Sequence, residues 1–319
     1  MASMNRTLSL SALLAAALIV FQCGRTAVAE PGASAPAAPE IALSQPGEDG
    51  LIVKKNITFR KIGQTLLKGD LYRPAGEAVL PIVIVIHGGG FMFGDKDMEH
   101  YTRISREVAA GGYVVFNVNY RLIQNGGVFP ESVKDVKCAV RWARANAAQI
   151  GGDPSKIGAI GGSAGGYLAT MLAATANHPD FEPDCDYGAD PSTEINAAVV
   201  YFGLTDIRAD APHTASFRML LPRFLGEKKG GSAESQAAAS PVTYAAGAAP
   251  LLLLHGTKDT LVEHEQSVAL CERAAEAGRV CELHLFEGEE HAFITYPDAP
   301  ASVESSRLTF EFFGKHLAD

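Results

Sequence analysis

The sequence is short of the features that mark several large functional classes. It has one tryptophan, five cysteines and no block of lysine and arginine, and its formal net charge is −9. An acidic surface of this kind repels nucleic acid and anionic membrane, so neither is an expected partner. No CxxC pair and no Cys/His spacing suits zinc. The N-terminal apolar run, Leu8 to Phe21, is too short for a comfortable membrane span. The glycine-rich stretch Ile157 to Thr170, IGAIGGSAGGYLAT, lacks the glycine triplet of a dinucleotide fingerprint. Gly161 and Gly166 have phosphate-loop spacing, but Tyr167 stands where that loop needs its lysine.

What is present begins with a leader. Arg6 precedes the apolar run, and Ala27-Val28-Ala29 places small residues before Glu30. This is the three-part pattern of a secretory signal peptide, with cleavage expected after Ala29. A lipid-modified Cys23 is the rival reading, and Gln22 argues against it because such sites want a small residue there. Residues 30–50, rich in Pro, Ala and Ser, read as a flexible linker, which leaves 51–319 as the folded domain. Loss of the leader leaves Cys138, Cys185, Cys271 and Cys281. An even count in an exported chain favours disulfides, with free buried thiols as the alternative. Cys271 lies on a predicted helix and Cys281 on the following strand, so these can pair, leaving Cys138 with Cys185.

From Leu51 onward, strand-like and helix-like segments alternate. LIVKKNITF and TLLKGDLY predict two antiparallel edge strands, and PIVIVIHGGG a parallel strand buried on both faces. Further strands are expected at YVVFNVNY, KIGAI, AAVVYFG, PLLLLHG and VCELHLF, with helices between them and one from Val303 to Leu317. The pattern predicts an α/β fold: a mostly parallel central sheet covered by helices on both faces, with its site at the carboxyl ends of the strands. Residues 204–249 break the alternation and read as an insertion, either a small cap or a long connection.

Within the glycine-rich stretch, Gly161-Gly162-Ser163-Ala164-Gly165 is a G-x-S-x-G between a β-branched strand and a helix. That context suits a nucleophile elbow, a tight turn whose neighbours must lack bulky side chains. A serine needs a base, a group to orient it and an oxyanion site. His87-Gly88-Gly89-Gly90-Phe91 follows a buried strand and supplies the last, with the N–H groups of Gly88, Gly89 and Ala164 as donors. His87 is expected to brace this loop, not to move protons. The chain order Ser…Asp/Glu…His then selects Asp259, beyond PLLLLHG, and His291, beyond VCELHLF. His255 and His284 are the alternative bases, and Asp206 and Glu263 the alternative acids. Phe91 is a candidate substrate contact, and Phe93 with Tyr120 could also fall near the pocket.

HGGGF, GGSAGG, HGTKD and HAF, in that order, resemble the α/β-hydrolase superfamily, in particular its hormone-sensitive-lipase-like and feruloyl or acetylxylan esterase-like branches. NYRL and DPSKI add to the likeness, which covers Leu51 to Leu317. The resemblance implies an α/β-hydrolase fold and hydrolysis of carboxylic esters through an acyl-enzyme, with no metal or organic cofactor. Short-chain esters, or acetyl and feruloyl groups on plant polysaccharides, are the implied substrates. Gly162 departs from the hormone-sensitive-lipase pattern, which usually has an acid there, and moves the likeness toward the secreted carbohydrate-esterase-like branch. Prolyl-peptidase-like amide hydrolysis and a non-catalytic binding module on the same fold are the competing readings.

Overall fold

A computed structural model describes residues 41–185, 187, 192–227 and 230–317. The expected leader, Cys23 and residues 30–40 of the linker lie outside the described residues. Eight strands form one sheet: β1 (Leu51–Ile62), β2 (Thr65–Pro74), β3 (Leu80–Ile86), β4 (Val114–Val118), β5 (Gly152–Gly162), β6 (Ala197–Tyr201), β7 (Leu251–Gly256) and β8 (Cys281–Phe286). Their spatial order is β1-β2-β4-β3-β5-β6-β7-β8. β2 runs antiparallel to both neighbours, and every other pairing is parallel. The two edge strands and the mostly parallel interior therefore match the pattern in the sequence. β5 is longer than KIGAI suggested, because Gly152-Asp153-Pro154 joins it ahead of a register shift opposite Pro81 and Ile82.

Hydrophobic patterning explains the helical layers. α1 (Glu99–Ala110) buries Tyr101, Ile104, Ser105, Val108 and Ala109, one face at helical spacing. α2 (Glu131–Ala145) buries most of its surface, and α4 (Ala164–Ala174) is buried on every side. A helix this apolar all round belongs in the core and not on a wet surface. α3 (Ala147–Ile150) is a single turn, α7 (Glu265–Glu276) precedes β8, and α8 (Pro300–His316) closes the chain. One core cluster packs Phe116, Val140, Leu168 and Leu253 on one side of the sheet, and a second packs Val85, Val115, Leu254 and Phe313 on the other. Alternate residues of the same strands feed the two clusters, as expected for strands covered on both faces.

The 204–249 stretch contains α5 (Ala215–Leu225) and α6 (Ala233–Ala238). The Thr214 hydroxyl accepts from the Phe217 N–H at the start of α5, and Ser232 with Ser235 forms a capping box on α6. Both expected disulfides are formed, Cys138–Cys185 and Cys271–Cys281.

β4 lies on one side of β3, and the chain then crosses to place β5 on the other side. Such a reversal of winding leaves a crevice at the carboxyl ends of the strands flanking it. Here those are β3, which leads into the HGGGF loop, and β5, which leads into Ser163.

Candidate active site

Ser163 adopts φ 55° and ψ −120°, a backbone conformation that L residues rarely occupy. The chain can hold it there because its neighbours lack side chains. A Cβ on Gly161 would lie 2.1 Å from the Gly165 carbonyl oxygen, and one on Gly165 would lie 2.2 Å from that of Ile86. The Ser163 N–H donates to Tyr201 O at 2.9 Å, and Ser163 O accepts from the Tyr167 N–H at 2.9 Å. The elbow is thus tied to β6 on one side and to α4 on the other.

The HGGGF loop runs alongside. A Cβ on Gly88 would lie 2.8 Å from Gly162 O and 2.9 Å from the Tyr101 hydroxyl, so only a bare backbone fits beside the serine. Gly89 has φ +111°, a region closed to residues with side chains. The N–H groups of Gly89 and Ala164 find no acceptor among the described residues, whereas the Gly88 backbone is hydrogen-bonded to the Tyr101 hydroxyl. His87 is fully buried, stacks on Tyr120 with centroids 4.4 Å apart, and its Nδ1–H donates to Gly88 O at 2.7 Å. Burial lowers its pKa to about 4, so the ring stays neutral and braces the loop. The Tyr120 hydroxyl donates to His87 O at 3.1 Å, which makes Tyr120 part of that brace and not a pocket residue.

Asp259 and His291 follow β7 and β8, as the chain order required. Their loops are stitched together: the Lys258 N–H donates to Glu289 O at 2.9 Å, and the Thr257 N–H donates to Phe286 O at 3.0 Å. His291 Nδ1 lies 2.6 Å from Asp259 Oδ2. Asp259 Oδ1 accepts from the Leu261 and Val262 N–H groups, both at 2.9 Å. Burial alone would push the Asp259 carboxyl up. Hydrogen bonds from His255 and His291, with the His291 charge and the Val262 N–H, outweigh that and hold it well below the usual carboxylate range. The group therefore stays ionised, with its proton-accepting edge turned to the imidazole. His291 leans its ring on Phe202, centroids 4.6 Å apart.

The alternative acids and bases fall elsewhere. His255 is fully buried, with Nδ1 2.7 Å from Ser267 Oγ and Nε2 3.2 Å from Asp259 Oδ2, so it supports the acid. Asp206 is ion-paired with Arg208, and His284 packs at a tilt against Phe286 within β8. One expectation is corrected. Phe91 is fully buried between Tyr167 and Phe224 and does not reach the cavity. Gly90 at φ +59° and Phe91 at φ +61° turn the chain through two left-handed residues, which sends Phe91 inward and leaves Phe93 on the cavity wall.

Ser163 and His291 line one cavity of about 380 Å³. Its walls include Phe93 and Met98 from the HGGGF side, Phe217 and Leu220 from α5, and Leu261 and Val262 from the Asp259 loop. Tyr101, from α1, was not foreseen. Its buried hydroxyl donates to Gly162 O at 3.3 Å, and burial pushes the phenol pKa up. A Cβ on Gly162 would come within 2.7 Å of that hydroxyl and 3.2 Å of the Phe202 ring. Tyr101 and Phe202 thus fill the space into which a side chain at 162 would have to extend. No group of three or more His, Cys, Asp or Glu among the described residues is arranged to hold a metal ion.

This geometry agrees with the comparisons to known proteins. The BD-FAE family model matches residues 69–274. The probable carboxylic ester hydrolase LipM of Mycobacterium tuberculosis is 33% identical over 190 residues, 59% of this chain and 43% of LipM. The chain spans about half the length of the curated relatives it matches. Thermogutta terrifontis esterase 2, phosphonylated by sarin, superposes with a TM-score of 0.73 at 29% identity, over 86% of this chain and 98% of that one. Its propionate-bound form gives a TM-score of 0.71 at 30% identity, with 86% and 98% covered. The chain belongs to the BD-FAE family, and with it to the α/β-hydrolases of hormone-sensitive-lipase-like type.

Proposed function

We propose that the protein is a serine carboxylesterase acting on neutral carboxylic esters. The observation that carries the proposal is the 2.6 Å contact between His291 Nδ1 and Asp259, with Ser163 held on a strained turn in the same cavity. Asp259 accepts a hydrogen bond from the Nδ1–H of His291, which fixes the tautomer with Nε2 as the base. Ser163 Oγ attacks the ester carbonyl carbon and gives its proton to that nitrogen. The N–H groups of Gly88, Gly89 and Ala164 receive the charge that develops on the carbonyl oxygen, each donor contributing about 10² to 10³ in rate. The imidazolium returns its proton to the departing alcohol, and water, deprotonated by His291, then releases the acid and restores Ser163.

Among the described residues, no Asp, Glu, Lys or Arg lines the cavity, which supports a neutral substrate. Acetyl and feruloyl esters of plant polysaccharides fall within that class. Residues 204–249, through α5, serve in this reading as a small cap. Export after removal of residues 1–29 belongs to the same proposal, and the two disulfides support it, since such bonds persist in oxidising compartments.

Ser163→Ala tests the assignment. Turnover of p-nitrophenyl acetate and butyrate is expected to fall by about 10⁴ or more, with far-UV circular dichroism unchanged. A fluorophosphonate is expected to add its mass to the peptide containing Ser163. Wild-type turnover in the variant removes Ser163 as nucleophile.

A further inference from the structure

His100 stands in the cavity beside the catalytic candidates and has no part in the chemistry proposed for them. It is the second residue of α1, half-buried, and it lines the same cavity as Ser163 and His291. Around it the walls offer few polar side chains. The Tyr101 hydroxyl is taken by Gly162 O, and His291 is taken by Asp259. The rest of the lining is glycine, alanine, methionine, aromatic or aliphatic apart from Ser163. His100 takes no hydrogen-bond partner among the described residues, and its ring rests on Tyr101 with centroids 4.3 Å apart. Burial lowers its pKa, the Arg103 charge adds to this, and Glu99 opposes it. A neutral imidazole presents one N–H donor and one acceptor nitrogen.

An open cavity lets water satisfy that ring. A substrate that fills the cavity displaces the water, and the ring must then pair with the substrate or remain unpaired in an apolar pocket. We propose that His100 is a specificity residue that hydrogen-bonds a hydroxyl group carried by the ester, so that the preferred substrate is a hydroxylated neutral ester and not a purely hydrocarbon one. The proposal rests on the serine-esterase reading of the site. A site built to pair a hydroxyl rejects the analogue lacking it more strongly than an apolar pocket distinguishes two hydrocarbons.

Two isosteric pairs test it: 2-hydroxyethyl butyrate against propyl butyrate, and methyl 3-hydroxybutyrate against methyl 3-methylbutyrate. The first pair moves the hydroxyl to the alcohol side and the second to the acyl side. The readout is the kcat/KM ratio within a pair, which does not depend on the folded fraction of a variant. In His100→Phe the ratio of hydroxylated to methylated ester is expected to fall about tenfold in at least one pair, and His100→Gln to restore most of it. Equal ratios in wild type and His100→Phe for both pairs overturn the proposal. Absence of hydrolysis of all four esters by the wild type also overturns it. In that event fluorophosphonate labelling of Ser163 decides whether the esterase reading survives.

Discussion

Ser163 and the glycines around it stand at the ends of β3 and β5, where backbone presses on backbone, whereas Phe217 and Leu220 reach the same cavity from α5 through side chains alone. A Cβ on Gly165 would meet two carbonyl oxygens within 2.6 Å, while one on Gly90 would meet only a Leu220 methyl at 3.9 Å. The first region tolerates almost no change in sequence, because carbonyl groups in a sheet cannot move aside. The second can exchange one apolar side chain for another of similar volume at a cost below about 1.5 kcal/mol. The proposed chemistry therefore falls on the constrained side, and substrate preference is free to vary on the other.

The largest effect expected from this division is on the Asp259–His291 pair. Asp259→Asn keeps the volume and the acceptor toward the Leu261 and Val262 N–H groups, yet it can present an N–H where His291 Nδ1 needs an acceptor. Steady-state kinetics on p-nitrophenyl butyrate are expected to show kcat lower by about 10⁴. A loss of less than tenfold would mean that Asp259 does not orient the base.

Next in size is an acid sensitivity confined to the constrained side. His87 titrates near pH 6.5 when the chain is unfolded and at about 4 when buried against Tyr120. Between those values the unfolded state binds the extra proton, so the contribution is complete above pH 6.5 and is lost as pH falls toward 4. The difference amounts to about 3 kcal/mol. Urea denaturation at pH 7 and pH 4.5 reads it. His87→Asn is expected to lose less stability over that interval than the wild type, and an equal loss in both would remove His87 as the source.

The same contrast accounts for what the sequence discloses. Gly161, Ser163, Gly165 and the HGGGF loop are legible because steric necessity leaves only glycine there, and a fixed requirement leaves a fixed motif. Asp259 and His291 follow from chain order, since successive parallel strands deliver their loops to one edge. His255 ended its strand within reach of Asp259, a signal that was available but compatible with several roles. Phe91 was misjudged because a loop has no side-chain period: two consecutive left-handed residues reversed its direction, and only one of them is a glycine. Tyr101 carried no signal at all, and the α5 region showed only as a break in the strand–helix alternation, a possible cap with no residue of it pointed to the cavity. A phenol at ordinary helical spacing looks like core, and an apolar helix in an insertion looks like any other helix until the fold lays it over the serine.

The smallest expected effect lies on that illegible side, and it bears most directly on what the cavity accepts. Leu220 lies against the Gly90 segment of the HGGGF loop, so its side chain limits the space next to the site without touching Asp259 or His291. Leu220→Ala removes side-chain volume from a wall, not from the reacting groups. With p-nitrophenyl esters of increasing acyl length, kcat/KM for longer chains relative to acetate is expected to rise by about tenfold, the scale set by one or two methylenes in an apolar pocket. A uniform change across all lengths would place the effect on the catalytic groups, and the separation between a fixed chemical side and an adjustable binding side would then fail. An unchanged profile would assign chain length to Phe93 or Leu261, whose exposed side chains line the same cavity.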